Sequence, residues 1–413
     1  MAKIRGAAFV ALTLAGCGVA QTLPLGTQGG AMVDGQAVPG ELIVQVKPGA
    51  RFAPQGQVGQ SLDLGEAGTF YLTRGQAGQT GSLAKNPDIV GVQPNRFVQL
   101  PITPAAPNLP ALAVPESNDP LYGKQWYLPH IATDRAWGVT RGKGVVAAVV
   151  DTGVDYDHPD LAGNMVSKGK SFAGGKDGKD VFGHGTHVAG IIAATMNNGQ
   201  GVAGVAPEAG ILPVTVLGAN GGGNLFAIAG GIKYAADYGK NNKVKVVINL
   251  SLGGPAVADP ISKAAGWYAS GKGALLIAAA GNSSTAVGTP ARIKEYFMAV
   301  SATDNKDAKA NFSNFGPEIS VGAPGVDIMN TTPTYDCPLN EHGYAKNYAA
   351  LRGTSMATPV VAGVAALVWA KNPGWDWKQV RAHLEKTSKD LGTPGHDTHF
   401  GHGLVQAGAA LGL

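Results

Sequence analysis

Cysteine and charge are both scarce in this chain. Its 413 residues include two cysteines, and Asp, Glu, Lys and Arg together make up 15% of the total. The formal net charge is only +4. Because basic residues neither form a run nor interleave with aromatics, nucleic acid is not an expected partner. No long apolar stretch follows the N-terminus, so no stable transmembrane helix is expected. Glycine is frequent, at 61 residues, which favours tight turns and a large buried interior.

Residues 1–20 have the pattern of an export signal. A positively charged end precedes the apolar run Ala7 to Ala15, which is too short to span a membrane. The run ends in Leu14-Ala15-Gly16-Cys17, which resembles the lipobox of bacterial lipoproteins, where the cysteine is acylated and becomes the first residue. Ordinary signal cleavage after Ala20 is the alternative. With that cysteine lipidated or removed, no intrachain disulfide can form, and Cys337 is predicted to be a quiet thiol away from the catalytic motifs.

Three short segments each join one reactive side chain to glycines or other small residues. They are Asp151-Thr152-Gly153, Gly183-His184-Gly185-Thr186-His187 and Gly353-Thr354-Ser355-Met356-Ala357-Thr358-Pro359. Together they supply a carboxylate, an imidazole and a hydroxyl in the chain order Asp, His, Ser. A serine hydroxyl is a weak nucleophile until a base removes its proton, and that base works only when a third group orients it. The pattern therefore predicts nucleophilic catalysis by a serine.

These segments, in this order, resemble the subtilisin-like serine protease family. The likeness is closest to its thermitase-like and aqualysin-like secreted members and covers residues 118–413. It implies a serine endopeptidase that works through an acyl-enzyme and needs no catalytic cofactor. The triad would be Asp151, His184 and Ser355, with His187 as a packed histidine. The resemblance also implies an oxyanion hole made by the Asn282 side-chain amide and the backbone N–H of Ser355.

Short apolar runs alternate with helical patterns along the catalytic part of the chain. The runs are Val145 to Val150, Ile211 to Leu217, Val244 to Leu250, Leu275 to Ala280 and Phe297 to Val300. Helices are predicted at Thr186 to Thr195, Leu225 to Tyr238, Pro260 to Ser270 and Ser355 to Trp369. This alternation predicts an α/β fold with a mostly parallel sheet flanked by helices on both faces. Asp151, Ser251 and Asn282 close strands, so they should meet at the carboxyl edge of that sheet.

Substrate recognition is expected to use backbone groups. Ser251-Leu252-Gly253-Gly254 resembles the substrate-binding strand of the family, and Gly222, within Gly221-Gly222-Gly223, would line the opposite side. A peptide would be captured as an added strand. Broad endopeptidase activity with an apolar or aromatic preference follows. The alternatives are a narrow processing role, an esterase with the same triad logic, and a catalytically dead binding module, which the complete triad argues against.

A structural calcium ion is the one cofactor that the resemblance implies. Calcium takes six or more oxygen ligands. Carried over from the family's calcium loop, the ligands would be Asp119, Asp160, the Asn198 side chain and the carbonyls of Thr195, Gln200 and Val202. A solvated loop with unrelated carboxylates is the alternative. The C-terminal histidines are expected to pack rather than bind metal; they are His396, His399 and His402.

Residues 39–100 are predicted to form a separate small α+β unit. Glu41 to Gly49 alternates as a strand and ends in a turn, and Asn86 to Asn95 reads as a turn and a second strand. The pairing is similar to the inhibitory propeptide of subtilisin-like proteases. An unrelated β-rich module is the alternative.

The remaining boundaries follow from composition. Residues 101–117 are rich in Pro and Ala, as in an extended linker, and 118–413 would be the catalytic domain. We therefore expect a secreted monomer that is made as a self-processed zymogen. Its partners would be protein and peptide substrates and its own propeptide as an intramolecular inhibitor. It would be a cell-envelope lipoprotein only before maturation, with the membrane contacted only through a lipid on the precursor.

Overall fold

The structure is a computed structural model that describes residues 32–50, 52, 58–74, 83, 85–101 and 117–413. The predicted export signal and lipobox lie outside the described residues, as does the predicted linker from 102 to 116.

The described N-terminal part is an antiparallel sheet with strand order β2-β3-β1-β4. Its strands are β1 (Ala37–Val46), β2 (Val58–Asp63), β3 (Thr69–Arg74) and β4 (Ile89–Gln99). Val44 pairs with Tyr71 of β3 and with Val92 of β4, while Ile43, Leu64 and Phe70 are buried. One 3-10 helix, Gly65–Ala67, is the helical element described here.

A second sheet forms the centre of residues 117–413, with strand order β12-β11-β10-β9-β5-β7-β6 and all pairs parallel. Its strands are β5 (Val145–Asp151), β6 (Lys170–Ser171), β7 (Gly210–Thr215), β9 (Lys245–Leu250), β10 (Leu275–Ala279), β11 (Phe297–Thr303) and β12 (Ile319–Pro324). Every residue of β5 is buried, as expected for a strand covered on both faces. The predicted α/β fold with its parallel sheet is therefore confirmed.

Three more strands lie outside that sheet. β8 (Gly222–Asn224) pairs antiparallel with β4 and so extends the N-terminal sheet. β13 (Ile328–Thr331) and β14 (Tyr348–Leu351) form a two-stranded ribbon.

Helices cover the parallel sheet. In the described residues they are α1 (Tyr127–His130), α2 (Thr133–Ala136), α3 (His184–Ala193), α4 (Leu225–Asn242), α5 (Pro260–Gly271), α6 (Pro338–Glu341), α7 (Thr354–Lys371), α8 (Trp377–Thr387) and α9 (Ala407–Ala410). α3 packs on α7, whereas α4 packs on α5, and each pair contacts the central strands. α7 is long and apolar enough to cross a membrane, but 89% of its apolar window is buried inside the fold. It is a core helix, as its all-round apolar pattern predicts.

Candidate active site

The carboxyl edge of the parallel sheet brings the predicted catalytic residues together. Asp151 is the last residue of β5, Ser251 directly follows β9, and Asn282 comes three residues after β10. Because β10, β9 and β5 are neighbours in the sheet, these side chains share one edge. His184 is the first residue of α3 and Ser355 the second residue of α7, and α3 packs on α7.

Asp151 and His184 form a buried pair. Oδ1 of Asp151 accepts the Nδ1–H of His184 at 2.8 Å and the N–H of Thr152 at 2.7 Å. With the proton held on Nδ1, the other ring nitrogen, Nε2, is left as a proton acceptor. Burial lowers the pKa of His184, but the charge and hydrogen bond of Asp151, with a further contribution from Asp180, raise it above its usual value. The arrangement suits a base oriented by a carboxylate.

Ser355 is buried, and its hydroxyl is hydrogen-bonded to a backbone carbonyl. The Ser355 Oγ–H donates to the Ser251 carbonyl at 3.0 Å, and the Ser251 Oγ–H donates to the Ser355 carbonyl at 2.7 Å. If the Ser355 hydroxyl is to give up its proton to an imidazole, it must first leave this acceptor. Catalytic hydrogen bonds are often completed only when substrate is bound.

The side-chain amide of Asn282 is held in place through its oxygen. Its Oδ1 accepts the N–H of Thr354 at 2.9 Å and the Oγ1–H of Thr354 at 2.8 Å. The amide Nδ2 is therefore the end left to donate, and it lies 3.2 Å from where a Cβ on Gly353 would stand. The Ser355 N–H is in the first turn of α7, where no intrahelical acceptor exists. Both donors can thus serve an anion developing next to Ser355.

The predicted substrate-binding residue Gly222 and the neighbouring predicted glycine Gly254 lie on two sides of one extended segment of the chain, the end of β4. Gly222 pairs with Gln99 of β4 in the β4–β8 ladder. On the other side, the Val98 side chain lies 3.6 Å from where a Cβ on Gly254 would stand. Leu252 is buried, and a Cβ on Gly253 would stand 3.2 Å from the Thr289 carbonyl. The groove between these glycines admits an extended backbone.

The predicted calcium loop contains two buried carboxylates. Asp119 is 3% and Asp160 0% exposed, and neither forms an ion pair with Lys or Arg among the described residues. Oδ2 of Asp160 accepts the N–H of Val202 at 3.0 Å, and the loop N–H groups of Asn197 and Asn198 donate to Asp119. An uncompensated pair of buried anions is costly unless a cation neutralises it.

The other predicted ligands fit this loop unequally. The carbonyls of Thr195, Gln200 and Val202 accept no backbone hydrogen bond from the described residues, which leaves them free for a cation. Asn198 instead donates its Nδ2 to Asp160 at 2.8 Å and accepts the Gln200 N–H through Oδ1. Its amide would have to turn over to present the oxygen as a ligand. With the Asn198 amide turned over, the oxygen ligands of this loop fit a hard cation.

Two expectations about other reactive groups have different outcomes. His187 is fully buried, and burial lowers its pKa to about 3, so it is a packed neutral histidine as predicted. The prediction that Cys337 lies away from the catalytic motifs is wrong. Its Sγ lies 3.0 Å from where a Cβ on Gly183 would stand, next to His184. The loop from Thr332 to Asn347 folds back over the histidine motif, a long-range contact that chain position does not reveal.

The C-terminal histidines pack against backbone and rings. His396 Nε2 lies 2.8 Å from the Ile319 carbonyl and its ring meets that of His402 edge-on, while the ring of His399 meets that of Phe315. Among the residues that the structure describes, no group of three or more His, Cys, Asp or Glu is arranged to hold a metal ion.

Sequence reasoning missed several residues that contact this site. Asp34 accepts the Gln99 N–H at 3.1 Å beside the groove, and Asn95 contacts the start of α4. Asp180 lies four residues before His184 and bonds to the histidine motif. A carboxylate just ahead of a helix start is a recognisable capping signal, and it was the one clue available for Asp180.

A parallel α/β sheet with Asp, His and Ser at its carboxyl edge defines a serine hydrolase. Comparison with known proteins narrows this class: the model of the subtilase family (peptidase S8) matches residues 142–403. Thermitase of Thermoactinomyces vulgaris is 41% identical over 296 residues, which cover 71% of this chain and 98% of thermitase. Subtilisin Savinase of Lederbergia lenta is 42% identical over 288 residues, which cover 66% of this chain and 97% of Savinase.

A solved structure agrees with these relatives. Fervidolysin from Fervidobacterium pennivorans, a keratinolytic enzyme related to subtilisin, superposes with a TM-score of 0.76 at 29% identity and covers 93% of this chain. The chain spans 62% of the length of that structure. The chain belongs to the subtilase family, and it is a subtilisin-like serine endopeptidase that acts on protein substrates.

Proposed function

We propose that Asp151, His184 and Ser355 are the catalytic triad, with Asn282 as the oxyanion donor. The observation that carries the proposal is the buried Asp151–His184 pair at 2.8 Å, at the sheet edge where Ser355 lies in the first turn of the core helix α7. His184 Nε2 takes the proton of Ser355 as its Oγ attacks the scissile carbonyl. Asp151 keeps the ring in the required tautomer and stabilises the imidazolium.

The reaction then proceeds through an acyl-enzyme. The carbonyl oxygen becomes an oxyanion that accepts hydrogen bonds from Asn282 Nδ2 and the Ser355 N–H. His184 returns its proton to the leaving amine, the C–N bond breaks, and Ser355 keeps the acyl group. Water then attacks with His184 again as base, releasing the second product and restoring the hydroxyl.

Substrate would bind as a strand between Gly222 on one side and Ser251 to Gly253 on the other. Because such pairing reads main chain before side chains, broad specificity with an apolar or aromatic preference follows. A narrow processing protease and an esterase remain the alternatives. The position of β4 in this groove argues against the esterase. A groove that binds substrate through a ladder of backbone hydrogen bonds offers no such bonds to an ester that has no peptide chain.

The N-terminal unit, residues 39–100, would be an inhibitory propeptide. Val98 pairs with Gly223, and the Leu100 N–H donates to the Gly221 carbonyl at 3.0 Å. The C-terminal end of β4 therefore lies along residues 221–224, the segment that contains the predicted substrate-binding Gly222. This end occupies the groove that a substrate needs.

The propeptide would also be anchored on the starts of two helices. Asn95 is fully buried, and its Oδ1 accepts the Phe226 N–H in the first turn of α4 at 3.3 Å. Gln93 donates to Asp259 at 3.4 Å, and Asp259 caps α5 through the Ser262 N–H. Helix starts carry free N–H groups that such side chains can satisfy, so these contacts favour a docked inhibitor over an unrelated module.

Maturation and export complete the proposal. Residues 101–117 would be the linker in which the enzyme cuts itself, releasing the catalytic domain, 118–413, as a secreted monomer. The signal would be residues 1–20, with a lipid on Cys17 that tethers only the precursor.

A structural calcium ion would be held by Asp119 and Asp160 with the carbonyls of Thr195, Gln200 and Val202 and the Asn198 oxygen. When bound, it neutralises the two buried carboxylates and fixes the loop after α3. It would stabilise the fold and take no part in the chemistry, since these residues are not among those at the sheet edge.

Casein digestion tests the proposal. Wild-type protein should digest casein and mature itself, whereas Ser355→Ala should do neither and accumulate as full-length precursor. Ser283→Ala, which changes an exposed serine beside Asn282, is the matched control and should behave like wild type. Maturation of purified Ser355→Ala would contradict self-processing. Hydrolysis of small esters without cleavage of casein would favour the esterase.

A further inference from the structure

Asp180 is a buried carboxylate that receives five hydrogen bonds. Its Oδ1 accepts the Thr152 Oγ1–H at 2.8 Å and the N–H groups of Phe182 and Gly183 at 3.0 and 2.8 Å. Its Oδ2 accepts the N–H and the Oγ1–H of Thr186 at 2.9 and 2.6 Å. Asp180 is 2% exposed, and it forms no ion pair among the described residues.

The set of donors around Asp180 favours its ionised form. Three of the five are backbone N–H groups, which can only donate, and a carboxylate that accepts several such bonds is stabilised as the anion. The other two are hydroxyls: Thr152 Oγ1 accepts the Gly185 N–H at 2.9 Å and Thr186 Oγ1 accepts the Asp155 N–H at 2.8 Å, and each has its own proton to donate to Asp180. Burial raises the pKa of Asp180, and these donors oppose that rise.

These bonds join the two elements that carry the Asp–His pair. Thr152 adjoins Asp151 at the end of β5, and Thr186 lies in the first turn of α3, which begins at His184. Gly183, the residue before α3, has no side chain to cap it, so Asp180 and Thr152 satisfy the first N–H groups of this helix. One carboxylate therefore fixes the helix start against the strand end.

We propose that Asp180 is a positioning residue for His184 and a second negative charge that stabilises its imidazolium. The inference rests on the proposed role of His184 as base. Asp180 sets the ring by holding the first turn of α3, and its charge, like that of Asp151, favours the protonated ring formed when Ser355 is attacking. Without it, His184 is expected to be a weaker base that is held less firmly.

Other charged and titratable groups face this region. Asp155 is paired with Lys179 at 2.8 Å, so its charge is compensated locally. His187 is neutral at ordinary pH, as are Tyr335, whose hydroxyl donates to the Asp180 carbonyl at 2.7 Å, and Cys337, because burial raises the pKa of both. Among the residues that the structure describes, the carboxylates that act on His184 and have no Lys or Arg partner are therefore Asp151 and Asp180.

The test is the pH dependence of kcat/KM on a peptide substrate, with rates normalised to active sites titrated with a fluorophosphonate. Asp180→Asn should move the acid limb to lower pH by at least about 0.5 unit, because removing a nearby anion lowers the pKa of a histidine. It should also lower kcat by roughly ten-fold or more with little change in KM, since misplacing a catalytic group costs rate. Asp177→Asn removes the same charge from the same loop, where Asp177 bonds Tyr156 and Lys179, and should leave the limb in place.

A second pair of variants tests the inference in case Asp180→Asn does not fold. Thr152→Val keeps the shape but removes the bridge to Asp180, and should lower kcat with KM unchanged, while Thr152→Ser should restore most of it. Equal kcat for the Val and Ser variants, or an acid limb that Asp180→Asn shifts no more than Asp177→Asn, would overturn the inference. If wild type itself shows no acid limb, the assignment of His184 as base fails instead.

Discussion

A single methyl group added at Gly222 should weaken the binding of the propeptide to its enzyme. A Cβ at Gly222 would stand 2.1 Å from Cζ of Phe97 and 3.0 Å from Oε1 of Gln99. Carbon atoms in contact lie about 3.5–4.0 Å apart, so in Gly222→Ala the Phe97 ring must move by roughly 1.5 Å. Phe97 is 5% exposed and has little room. Overpacking of this kind costs about 1–3 kcal/mol.

That cost should appear as weaker inhibition. Since about 1.4 kcal/mol is a factor of ten, the inhibition constant of a separately made segment 32–101 should rise by about 5- to 150-fold on the matured Gly222→Ala enzyme. Gly271→Ala, at the end of α5, is the control, because a Cβ there meets nothing within 4 Å.

A compensating change makes the prediction specific. Phe97→Leu in the segment shortens the side chain and should recover part of the lost affinity against Gly222→Ala, although it should weaken binding to wild type. Contacting residues couple in this way, whereas distant ones add. An unchanged inhibition constant for Gly222→Ala, or equal loss with both segments, would refute the proposed seating of β4 on β8.

Further predictions concern the ion, the base and the anchor. Chelation of calcium should shorten the half-life of enzyme activity at elevated temperature more than it lowers initial rates, because a ligand that binds only the folded protein stabilises it. Asp160→Asn should have the same effect as the chelator. Equal half-lives with and without calcium would contradict the proposed site. The rate should rise with pH through a midpoint above the usual value of about 6.5 for histidine, because the pKa of His184 is raised and only the neutral ring accepts a proton; a flat profile would exclude His184 as base. In the Ser355→Ala background, Cys17→Ser should move the precursor from the membrane fraction to the soluble fraction, and equal partitioning with either residue would favour cleavage after Ala20.

The fold was accessible from sequence because its strands carry strong local signals. The all-apolar run at Val145 to Val150 and the turn residues after it predict a buried parallel strand that ends at Asp151, and β5 is that strand. Helix α8 was missed even though Asp376 and Gln379 form a capping box at its start, a pattern that could have been recognised. Its low overall hydrophobicity hid it from a search for apolar runs.

The contacts around the site were less accessible because they join distant parts of the chain. Cys337 reaches Gly183 only because its loop folds back over the histidine motif. The bond from Thr152 to Asp180 closes over 28 residues, and the bond from Gln99 to Asp34 over 65. Composition and periodicity carry no information on such pairs. The roles assigned to the site residues stay predictions, supported by their geometry.

Locating the nucleophile tests the central claim most directly. The matured enzyme would be inactivated with a fluorophosphonate, digested, and the modified residue identified by tandem mass spectrometry. The account predicts a single adduct on the Ser355 hydroxyl, formed more slowly as the pH falls through the His184 titration and absent after His184→Ala. An adduct on any other residue, or labelling of Ser355 that does not depend on His184, would contradict it.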